Sequence, residues 1–594
     1  MPTVSRREIT LATLWSVFIV LLTSGPYIAG QLEADGRYFS GLVSAVDDGN
    51  VYLQWIRQCA EGDWTLSNQY SADEGRGLSV NVFLLALGRT ARLLHLTPPQ
   101  VFGAARVIAG CLCLVAFYLL ACSFSPSPAF RWTALLLVSL AGGLGWLIDL
   151  LPPGTVAFQP IDYGPRWLYQ PEAITFVSIL INPLFAFSMG LMCLSLFCAL
   201  RGIDTGRTRW ALIGGVCLLV LGNAHTYDLP VVHLTILAWF LIAVATKRLP
   251  FRRALLMYAV MFVMTLPPGL WQWHVMQSDP AYRAKTSTPT LSRPYLDYVL
   301  GQGVPWLLAL IGVAWLALTK SVQRRRLAYL VPWAVIASAV IYLPVPWQRK
   351  MAEGMQFPLC LLAAVTVGIA LGDWLARLCD STKVAETRVF LAATFVVLLA
   401  MPSNVLFYAD CLRHVRTNNA DLAHVMMPPV YLEPAEYDAM QELAARCTDR
   451  DVVISSSMMG SHIPALTPCR VVAGHWGESV YVQPIVGGRW QRLGFESYAM
   501  PTVLRFFGPT SSEIEKAATL LAFNVTYVFC GPAENALYAY RSPSPAEGMA
   551  DRALSELPFL KKVYSRDGVS LFRAAPPTEV LGYLQNPGTR NGDD

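Results

Sequence analysis

The fold class is decided by ITLATLWSVFIVLLTSGPYIAG, residues 9–30. This uncharged apolar run of about 22 residues is long enough to cross a hydrocarbon core of about 30 Å. Shortly after it comes AVDDGNVY, residues 45–52, with two adjacent aspartates, Asp47 and Asp48. Charged groups close to membrane depth usually mark a substrate path or an aqueous site. The second stretch therefore raises the question of enzyme chemistry at a membrane surface.

The composition extends the membrane interpretation to most of the chain. Of the 594 residues, 54% are hydrophobic and only 14% are charged, whereas soluble proteins carry about 25% charged residues. The apolar runs end near residue 411, and the remainder has the composition of a soluble domain. The net charge of +5 comes mostly from Arg and Lys in loops. No basic face with interleaved aromatic residues is present, which argues against nucleic-acid binding.

Eleven apolar segments predict membrane spans, and each approaches the roughly 20 residues that a span needs. The segments are 9–30, 101–122, 131–150, 174–200, 210–224, 227–245, 254–275, 304–319, 327–343, 354–378 and 389–411. The first lacks a small-residue cleavage site, so we expect an uncleaved helix. Segment 78–94 is partly apolar but is interrupted by Arg89 and Arg92. We predict it to be a juxtamembrane amphipathic helix.

Basic residues in alternate loops predict the orientation, because short cytoplasmic loops are rich in Lys and Arg. They occur in the loops near residues 201–209, 247–253, 320–326 and 383–388. The outer loops would be 31–100, 151–173, the turn at His225, 276–303 and 344–353. This pattern predicts a multi-pass membrane protein with its C-terminal region on the outer side of the membrane. Residues 1–411 would form the membrane domain, residues 412–585 an extracytoplasmic domain, and residues 586–594 a disordered tail.

The region 412–585 alternates helical and strand-like segments. Pro434–Arg446 and 511–522 have helical patterns, the second with an N-terminal Ser-Ser-Glu signal. Val525–Cys530 is an apolar, β-branched strand, and Asp567-Gly568 favours a tight hairpin. A small α/β domain with a partly parallel sheet is expected. The thirteen cysteines include no CxxC pair. A disulfide among Cys447, Cys469 and Cys530 is one option.

Asp47 and Asp48 are the candidate catalytic residues. Apolar residues recur at helical spacing after them, so the pair is expected near a helix N-terminus, which stabilises a carboxylate. One aspartate could be an N-cap. Alternatively, one is a general base, since adjacent acids in a low-dielectric site raise one pKa. As a third option the pair binds Mg²⁺ or Mn²⁺, which carboxylates suit.

Further candidates for substrate binding lie in the predicted outer segments, and each also has a structural explanation. Glu172 is either a helix cap or a second carboxylate of the site. The turn residues His225, Tyr227 and Asp228 can hydrogen-bond a sugar or hold a phosphate, but a turn is needed there in any case. A last group consists of basic residues: Arg349 and Lys350 in a predicted outer loop, and Arg106 near the start of a span.

Arg349 and Lys350 would stand against the positive-inside bias, which suggests an anionic partner such as a lipid phosphate. Simple binding to lipid headgroups explains them as well. No Ser-His-Asp order, HExxH or Walker motif is present. His462 and His475 stand isolated in the soluble region, and a structural role is favoured for His475 over contact with a sugar.

This arrangement resembles the GT-C superfamily of integral-membrane glycosyltransferases. The similarity lies in Asp47-Asp48 in a large first outer loop, in Phe102-Gly103-Ala104-Ala105-Arg106-Val107, and in the paired short helices of 210–245. These stretches look like those of aminoarabinose and protein mannosyl transferases. The runs Trp347-Gln348-Arg349-Lys350 and Ala473-Gly474-His475-Trp476 look like those of related bacterial membrane proteins.

The resemblance implies a polyprenyl-phosphate-linked sugar donor and transfer with inversion. It assigns the base to Asp47 or Asp48 and the lipid phosphate to Arg349 and Lys350. Protein mannosyl transferases have an Asp-Glu pair in the first loop, so the choice between the two aspartates and the need for metal stay open.

The resemblance therefore implies a glycosyltransferase of the bacterial inner (plasma) membrane, hexosyl or pentosyl, acting on a cell-envelope glycan, lipid or protein. The rival interpretations are a transporter or flippase of lipid-linked glycans and a non-catalytic assembly subunit. Span interiors nearly free of charge and the absence of an internal repeat count against a transporter.

Overall fold

The computed structural model describes residues 4–73, 75–148, 150–151, 171–320, 323–379, 381–418, 428–485, 489–493, 499–540 and 549–586. The chain divides into two compact units. The helical unit comprises Met1–Pro26, Gly103–Gln272 and Pro289–Cys411, and the α/β unit comprises Tyr27–Phe102, Trp273–Thr288 and Leu412–Asp594. Most of the predicted loop 151–173 and the predicted tail after residue 586 lie outside the described residues.

Helices make up the helical unit. Its α-helices are Arg6–Thr23, Pro128–Leu140, Gly145–Ile148, Thr175–Ile181, Pro183–Thr205, Arg209–Ala224, Leu229–Ala245, Phe251–Val263, Tyr295–Gln302, Val304–Leu318, Arg324–Leu327, Leu330–Val340, Gln356–Ala364, Leu371–Leu378 and Thr382–Ala400. Val365–Ala370 is a π-helix. Short 3₁₀ helices are Pro171–Ala173, Thr226–Asp228 and Gln348–Ala352. Four further α-helices have residues in both units: Gly25–Leu32, Pro98–Cys122, Leu266–Ser278 and Pro402–Thr417.

Among the described residues, five helices are long and apolar enough to cross a membrane, or eight candidates if each bent pair is one span. The five are Arg6–Leu32, Pro98–Cys122, Pro183–Thr205, Thr226–Ala245 and Gln348–Leu378. The bent pairs are Phe251–Val263 with Leu266–Ser278, Tyr295–Gln302 with Val304–Leu318, and Lys383–Ala400 with Pro402–Thr417. Pro128–Leu140 and Arg209–Ala224 are shorter apolar helices. A mainly α, polytopic membrane fold is confirmed, and the count of eleven spans stays a prediction.

Aromatic packing and close helix contact hold the helical unit together. The indole N–H of Trp239 donates to the carbonyl of Tyr329 at 2.7 Å, and the Trp239 ring meets Trp333 edge-on at 5.9 Å. All three side chains are buried. A Cβ on Gly312 would lie 2.4 Å from the carbonyl oxygen of Leu362, so only glycine permits this approach of two helices.

The α/β unit is built around a five-stranded mixed sheet. Its helices are Val46–Glu61, Val82–Leu94, Pro280–Thr286, Pro434–Arg446, Ser457–Leu466, Met500–Phe507, Glu513–Ala522, Pro532–Tyr540, Met549–Ser555 and Pro577–Gln585. Its strands are β1 Tyr38–Phe39, β2 Tyr431–Leu432, β3 Val452–Ile454, β4 Arg470–Val471, β5 Tyr481–Ile485, β6 Arg489–Leu493, β7 Val525–Cys530, β8 Leu560–Arg566 and β9 Val569–Ala574. The order of the main sheet is β4-β3-β7-β9-β8. β3 pairs in parallel with β4 and β7, whereas β7–β9 and β9–β8 are antiparallel.

Local sequence signals predicted several of these elements. Helix Pro434–Arg446 and strand β7 have their predicted bounds. Helix Glu513–Ala522 begins with a capping box between Ser512 and Glu515. The β8–β9 hairpin turns through Asp567 and Gly568, both with positive φ. The expectation of a partly parallel α/β sheet is therefore confirmed.

The predicted first outer loop, 31–100, groups with the C-terminal region rather than with the preceding and following spans. β1 pairs with β2, and the side chains of Val51 and Tyr70 belong to the same buried apolar cluster as Leu432 and Met459. Helix Val46–Glu61 buries its apolar face in this way. The predicted division after residue 411 coincides with a unit boundary, but the second unit also takes in Tyr27–Phe102 because of this shared core.

A disulfide joins Cys447 to Cys469, one of the pairings that the sequence left open. The two cysteines are 22 positions apart in sequence, and the segment between them contains strand β3 and helix Ser457–Leu466. The third candidate, Cys530, is a buried free thiol.

Candidate functional site

The two predicted catalytic aspartates lie in the first turn of helix Val46–Glu61. The residue before this helix, Ala45, takes a left-handed conformation (φ 46°, ψ 52°), which residues other than glycine seldom adopt. Ala45 is also the N-cap, so neither aspartate caps the helix, and that alternative is wrong. The exposed N–H groups of the first turn favour negative charge at Asp47 and Asp48.

A histidine that the sequence left isolated completes this group. His475 Nε2 lies 2.8 Å from Asp48 Oδ1 and 4.0 Å from Asp47 Oδ2. The His475 side chain is buried, whereas the Asp48 side chain is 53% exposed and that of Asp47 15% exposed. We call Asp47, Asp48 and His475 the acid–histidine group. It places one accessible and one shielded carboxylate beside the same imidazole.

Backbone hydrogen bonds determine the tautomer of His475. The amides of Gly477 and Glu478 both donate to Nδ1, at 3.1 and 3.0 Å. Nδ1 must therefore be unprotonated, and the ring proton sits on Nε2, which donates to Asp48. Burial lowers the pKa of His475, but the hydrogen bond and charge of Asp48 outweigh it and leave a net rise. The two donors at Nδ1 oppose this rise, because a protonated Nδ1 could not accept from them.

Asp47 has the properties of a proton acceptor that works near neutral pH. Burial, reinforced by the negative charge of Asp48, raises its pKa to about 6. His475 acts in the opposite direction. Asp47 Oδ1 is buried and has no hydrogen-bond partner among the described residues. A carboxylate in this state accepts a proton more readily than a solvated aspartate does.

Close packing of two backbone segments holds the loop that carries His475. A Cβ on Gly474 would lie 2.3 Å from the carbonyl oxygen of Gly460, and a Cβ on Gly460 would lie 1.9 Å from that of Ala473. The amides of Gly474 and His475 both donate to the Ser479 hydroxyl, at 2.9 and 3.0 Å. This packing fixes the position of the imidazole.

Polar contacts tie helix Val46–Glu61 to helix Ser457–Leu466. The Asn50 amide donates to the Ser461 hydroxyl at 3.1 Å, and the Tyr70 hydroxyl donates to the Ser461 carbonyl at 2.8 Å. His462 contacts Asn50 at 3.3 Å and the Pro429 carbonyl at 3.0 Å. His462 therefore has the structural role that a buried, satisfied histidine usually has.

In the helical unit, two predicted binding residues come together with a glutamate that the sequence did not indicate. His225 Nδ1 lies 3.0 Å from Asp228 Oδ2 and 3.3 Å from Glu353 Oε2. All three side chains are buried. Among the described residues, these three side chains are the cluster whose ligand atoms lie close enough together to hold a metal ion. Asp47 and Asp48 do not belong to this cluster.

Tyr227 and Lys350 form a second contact in this region. The Lys350 ammonium lies 4.8 Å from the centre of the Tyr227 ring, a cation–π arrangement. Lys350 and Arg349 belong to the 3₁₀ helix Gln348–Ala352, which ends immediately before Glu353. The Arg349 backbone N–H donates to the Thr290 carbonyl at 3.1 Å.

The remaining two predicted binding residues are both buried. Glu172 lies in a 3₁₀ turn ahead of helix Thr175–Ile181, whose N-cap is Ile174, so Glu172 does not cap that helix. Arg106 donates to the hydroxyls of Thr23 and Ser24 at 3.0 and 2.7 Å. The role of Arg106 in substrate binding stays a prediction.

No family model matches the chain, and no curated protein sequence is similar to it. Several solved structures are similar to the chain. The chain is similar to the oligosaccharyltransferase of Archaeoglobus fulgidus, with a TM-score of 0.50 and 11% identity, over 95% of this chain and 74% of that one. It is similar to the mycobacterial arabinofuranosyltransferase AftD, with a TM-score of 0.51 and 14% identity. That match covers 96% of this chain but 40% of AftD, so the chain spans about two fifths of AftD.

Both structures are GT-C glycosyltransferases. At 11 and 14% identity the similarity establishes the fold. The chain therefore has the GT-C fold, as the resemblance in its sequence implied, and is a multi-pass membrane protein.

Proposed function

We propose that this chain is a glycosyltransferase that moves a sugar from a polyprenyl-phosphate donor to a cell-envelope acceptor. The observation that carries the proposal is the acid–histidine group, in which Asp47 has a pKa raised to about 6 within a GT-C fold. The lipid-linked donor comes from the resemblance in the sequence. The structural neighbours support glycosyl transfer in general, without specifying the sugar or the acceptor.

The reaction needs one proton acceptor on the protein. An acceptor hydroxyl attacks the anomeric carbon, the bond from that carbon to the donor phosphate breaks, and the polyprenyl phosphate leaves with the electron pair. The proton of the attacking hydroxyl passes to a carboxylate. A positioned base of this kind contributes roughly 10²- to 10⁴-fold in rate. We also propose that Arg349 and Lys350 bind a phosphate group, because guanidinium and ammonium groups suit that anion.

We assign the base to Asp47 and a positioning role to Asp48. Asp48 is held by His475 at 2.8 Å and is largely exposed, features that suit a fixed negative charge. That charge helps to raise the pKa of Asp47, whose Oδ1 has no partner among the described residues. The two aspartates thus take different parts, a division that the sequence alone left open.

The disulfide supports an extracytoplasmic location for the α/β unit. Disulfides persist in oxidising compartments and are rare in the cytosol, and Cys447–Cys469 lies in this unit. The bacterial inner membrane, with the C-terminal region on its outer side, is therefore part of the proposal. Labelling of cysteines in intact cells, with and without a reductant that does not cross the membrane, tests it. Because both cysteines are buried, Cys447 and Cys469 should react with a label added after denaturation only if that reductant has opened the disulfide.

The test of function uses the purified full chain with radiolabelled polyprenyl-phospho-sugars, in detergent and in liposomes. We expect transfer of label to an acceptor fraction from cell envelopes, and loss of transfer in Asp47→Asn. Movement of the labelled lipid across the liposome without transfer would identify a flippase instead. If neither activity is found with hexosyl or pentosyl donors, an assembly subunit is the better interpretation.

A further inference from the structure

The geometry points to a divalent metal site formed by His225, Asp228 and Glu353, with Mn²⁺ or Zn²⁺ as the class of ion it takes. The three residues come from two separate segments, the turn before helix Leu229–Ala245 and the residue after the 3₁₀ helix Gln348–Ala352. The sequence offered Asp47 and Asp48 as metal ligands, so this site is a different one.

The ligand atoms already have the spacing of a coordination sphere. Metal–nitrogen and metal–oxygen bonds of about 2.0–2.2 Å place neighbouring ligand atoms about 3.0–3.5 Å apart. His225 Nδ1 lies 3.0 Å from Asp228 Oδ2 and 3.3 Å from Glu353 Oε2. All three ligand atoms lie within 4.8 Å of one another. Small rotations of the side chains would therefore let one ion contact all three.

The burial of this trio requires a compensating positive charge or a proton. Asp228 and Glu353 are each only 1% exposed, and His225 is 7% exposed. Apart from the His225 ring, neither carboxylate has a hydrogen-bond partner among the described residues. Ionised carboxylates without a partner are very costly to bury. Glu172, also buried, adds further negative charge near Glu353.

The donor set selects the kind of ion. One imidazole nitrogen with two carboxylates suits Mn²⁺ or Zn²⁺, whereas Mg²⁺ and Ca²⁺ prefer sites built only from oxygen. Three protein ligands leave at least one coordination position for water or for a phosphate oxygen.

The backbone supports the placement of Glu353. Gly354 follows it with φ at +73°, a conformation that glycine adopts without strain. This turn ends the 3₁₀ segment and allows the chain to enter helix Gln356–Ala364, so the glutamate is presented at the junction. The Phe185 and Tyr227 rings contact His225 edge-on at 5.8 and 5.4 Å, which restricts the imidazole.

The experiment measures metal binding directly and does not depend on sugar transfer. The full chain, purified without a polyhistidine tag, is stripped with a chelator and desalted. Mn²⁺ is then titrated and followed by the electron paramagnetic resonance of the free ion, and bound Zn²⁺ is counted by mass spectrometry. We expect about one ion per chain, with affinity reduced about tenfold or more in Asp228→Asn and Glu353→Gln.

Matched variants separate this site from other metal ligands. His233→Asn removes another buried histidine, 3.2 Å from the Thr265 hydroxyl, and should leave binding unchanged. Asp47→Asn should also bind normally. A metal-dependent rise in melting temperature that is present in wild type and missing in Glu353→Gln would show that the variant is folded but lacks the site.

Two results would overturn the inference. The stripped chain could bind neither ion, which would mean that protons on the trio compensate for its burial. Alternatively, Asp228→Asn and Glu353→Gln could bind as wild type does, which would place any ion elsewhere. Neither result bears on the proposed glycosyl transfer, which is assayed separately.

Discussion

The Nε2 atom of His475 and the Oδ1 atom of Asp48 lie 2.8 Å apart although 427 positions separate the two residues in sequence. Because two backbone amides occupy Nδ1, the Nε2–H group is the donor in this contact. One aspartate of the predicted pair is thereby held in place, and Asp47 remains as the carboxylate with a raised pKa. Local packing thus distinguishes two neighbouring residues of the same type.

Replacing His475 by Gln should lower the rate of transfer by about 10- to 100-fold, as loss of groups that orient a site residue commonly does. The change removes the imidazole N–H that holds Asp48 and the electrostatic effect by which His475 lowers the pKa of Asp47. The pH at which activity reaches half its maximum should therefore rise. The measurement is kcat/KM against pH for both proteins.

His462→Gln is the matched control for that variant, because His462 is buried in the same unit but contacts Asn50 and the Pro429 carbonyl instead. Its pH profile should keep the wild-type midpoint. An equal shift in both variants would show that the effect comes from general loosening of the unit.

Sequence patterns predicted the elements of this site but not its assembly. The helical spacing after Asp48 placed the pair at a helix N-terminus, and helix Pro434–Arg446 and strand β7 follow from local periodicity and β-branched residues. His475 could not be found in this way, because its approach to Asp48 depends on the close contact of Gly460 with Gly474.

Glu353 was missed for a related reason. It directly follows a predicted basic cluster, and its approach to His225 depends on tertiary packing, not on a motif. An acid beside an apolar span was the available signal, since charge there is costly. The sequence analysis also assigned residues 31–100 to the membrane domain. Their grouping with the C-terminal region could not be predicted, because the apolar cluster shared by Val51 and Leu432 is visible only in the fold.

Asp47→Asn should reduce transfer more than Asp48→Asn does. Loss of a general base costs roughly 10²- to 10⁴-fold, whereas loss of the charge at Asp48 leaves the base in place and should cost about tenfold. Single-turnover rates with a saturating donor provide the comparison. Equal losses in the two variants would remove the distinction between base and positioning residue.

Activity should rise with pH through a midpoint of about 6 and then level off. The Asp47 carboxyl must be ionised to accept a proton, and burial together with Asp48 raises its pKa to about 6. Below that pH, each unit should lower kcat/KM about tenfold. A rising limb centred near pH 4, where an ordinary aspartate ionises, would show that Asp47 is not the base.

Asp47→Asn should also stabilise the protein at neutral pH, in contrast to its effect on activity. The pKa of Asp47 is raised in the folded state from 3.8 to about 6, so folding favours the protonated form. Protonation of Asp47 therefore contributes to the free energy of unfolding. This contribution is fully present below about pH 4 and is lost as the pH rises through about 6. Asparagine mimics the neutral form, and removing the cost of ionisation is worth up to about 3 kcal/mol.

Melting temperatures of wild type and Asp47→Asn at pH 4 and pH 7.5 test this linkage. The variant should melt higher at pH 7.5, and the difference should shrink at pH 4. A constant difference between the two pH values would mean that Asp47 ionises alike in the folded and unfolded chains.

Gly474→Ala should disrupt the acid–histidine group without touching any of its members. The new Cβ would lie 2.3 Å from the Gly460 carbonyl oxygen, so the backbone that carries His475 must shift. Since a displacement of about 1 Å in a catalytic group can cost on the order of 10²-fold, we expect a loss of that size with a lower melting temperature. Gly477→Ala is the control, because its Cβ would meet only the His475 ring, at an ordinary 3.5 Å. The control should keep most of its activity; if Gly474→Ala did so too, the close contact with Gly460 would not be what positions His475.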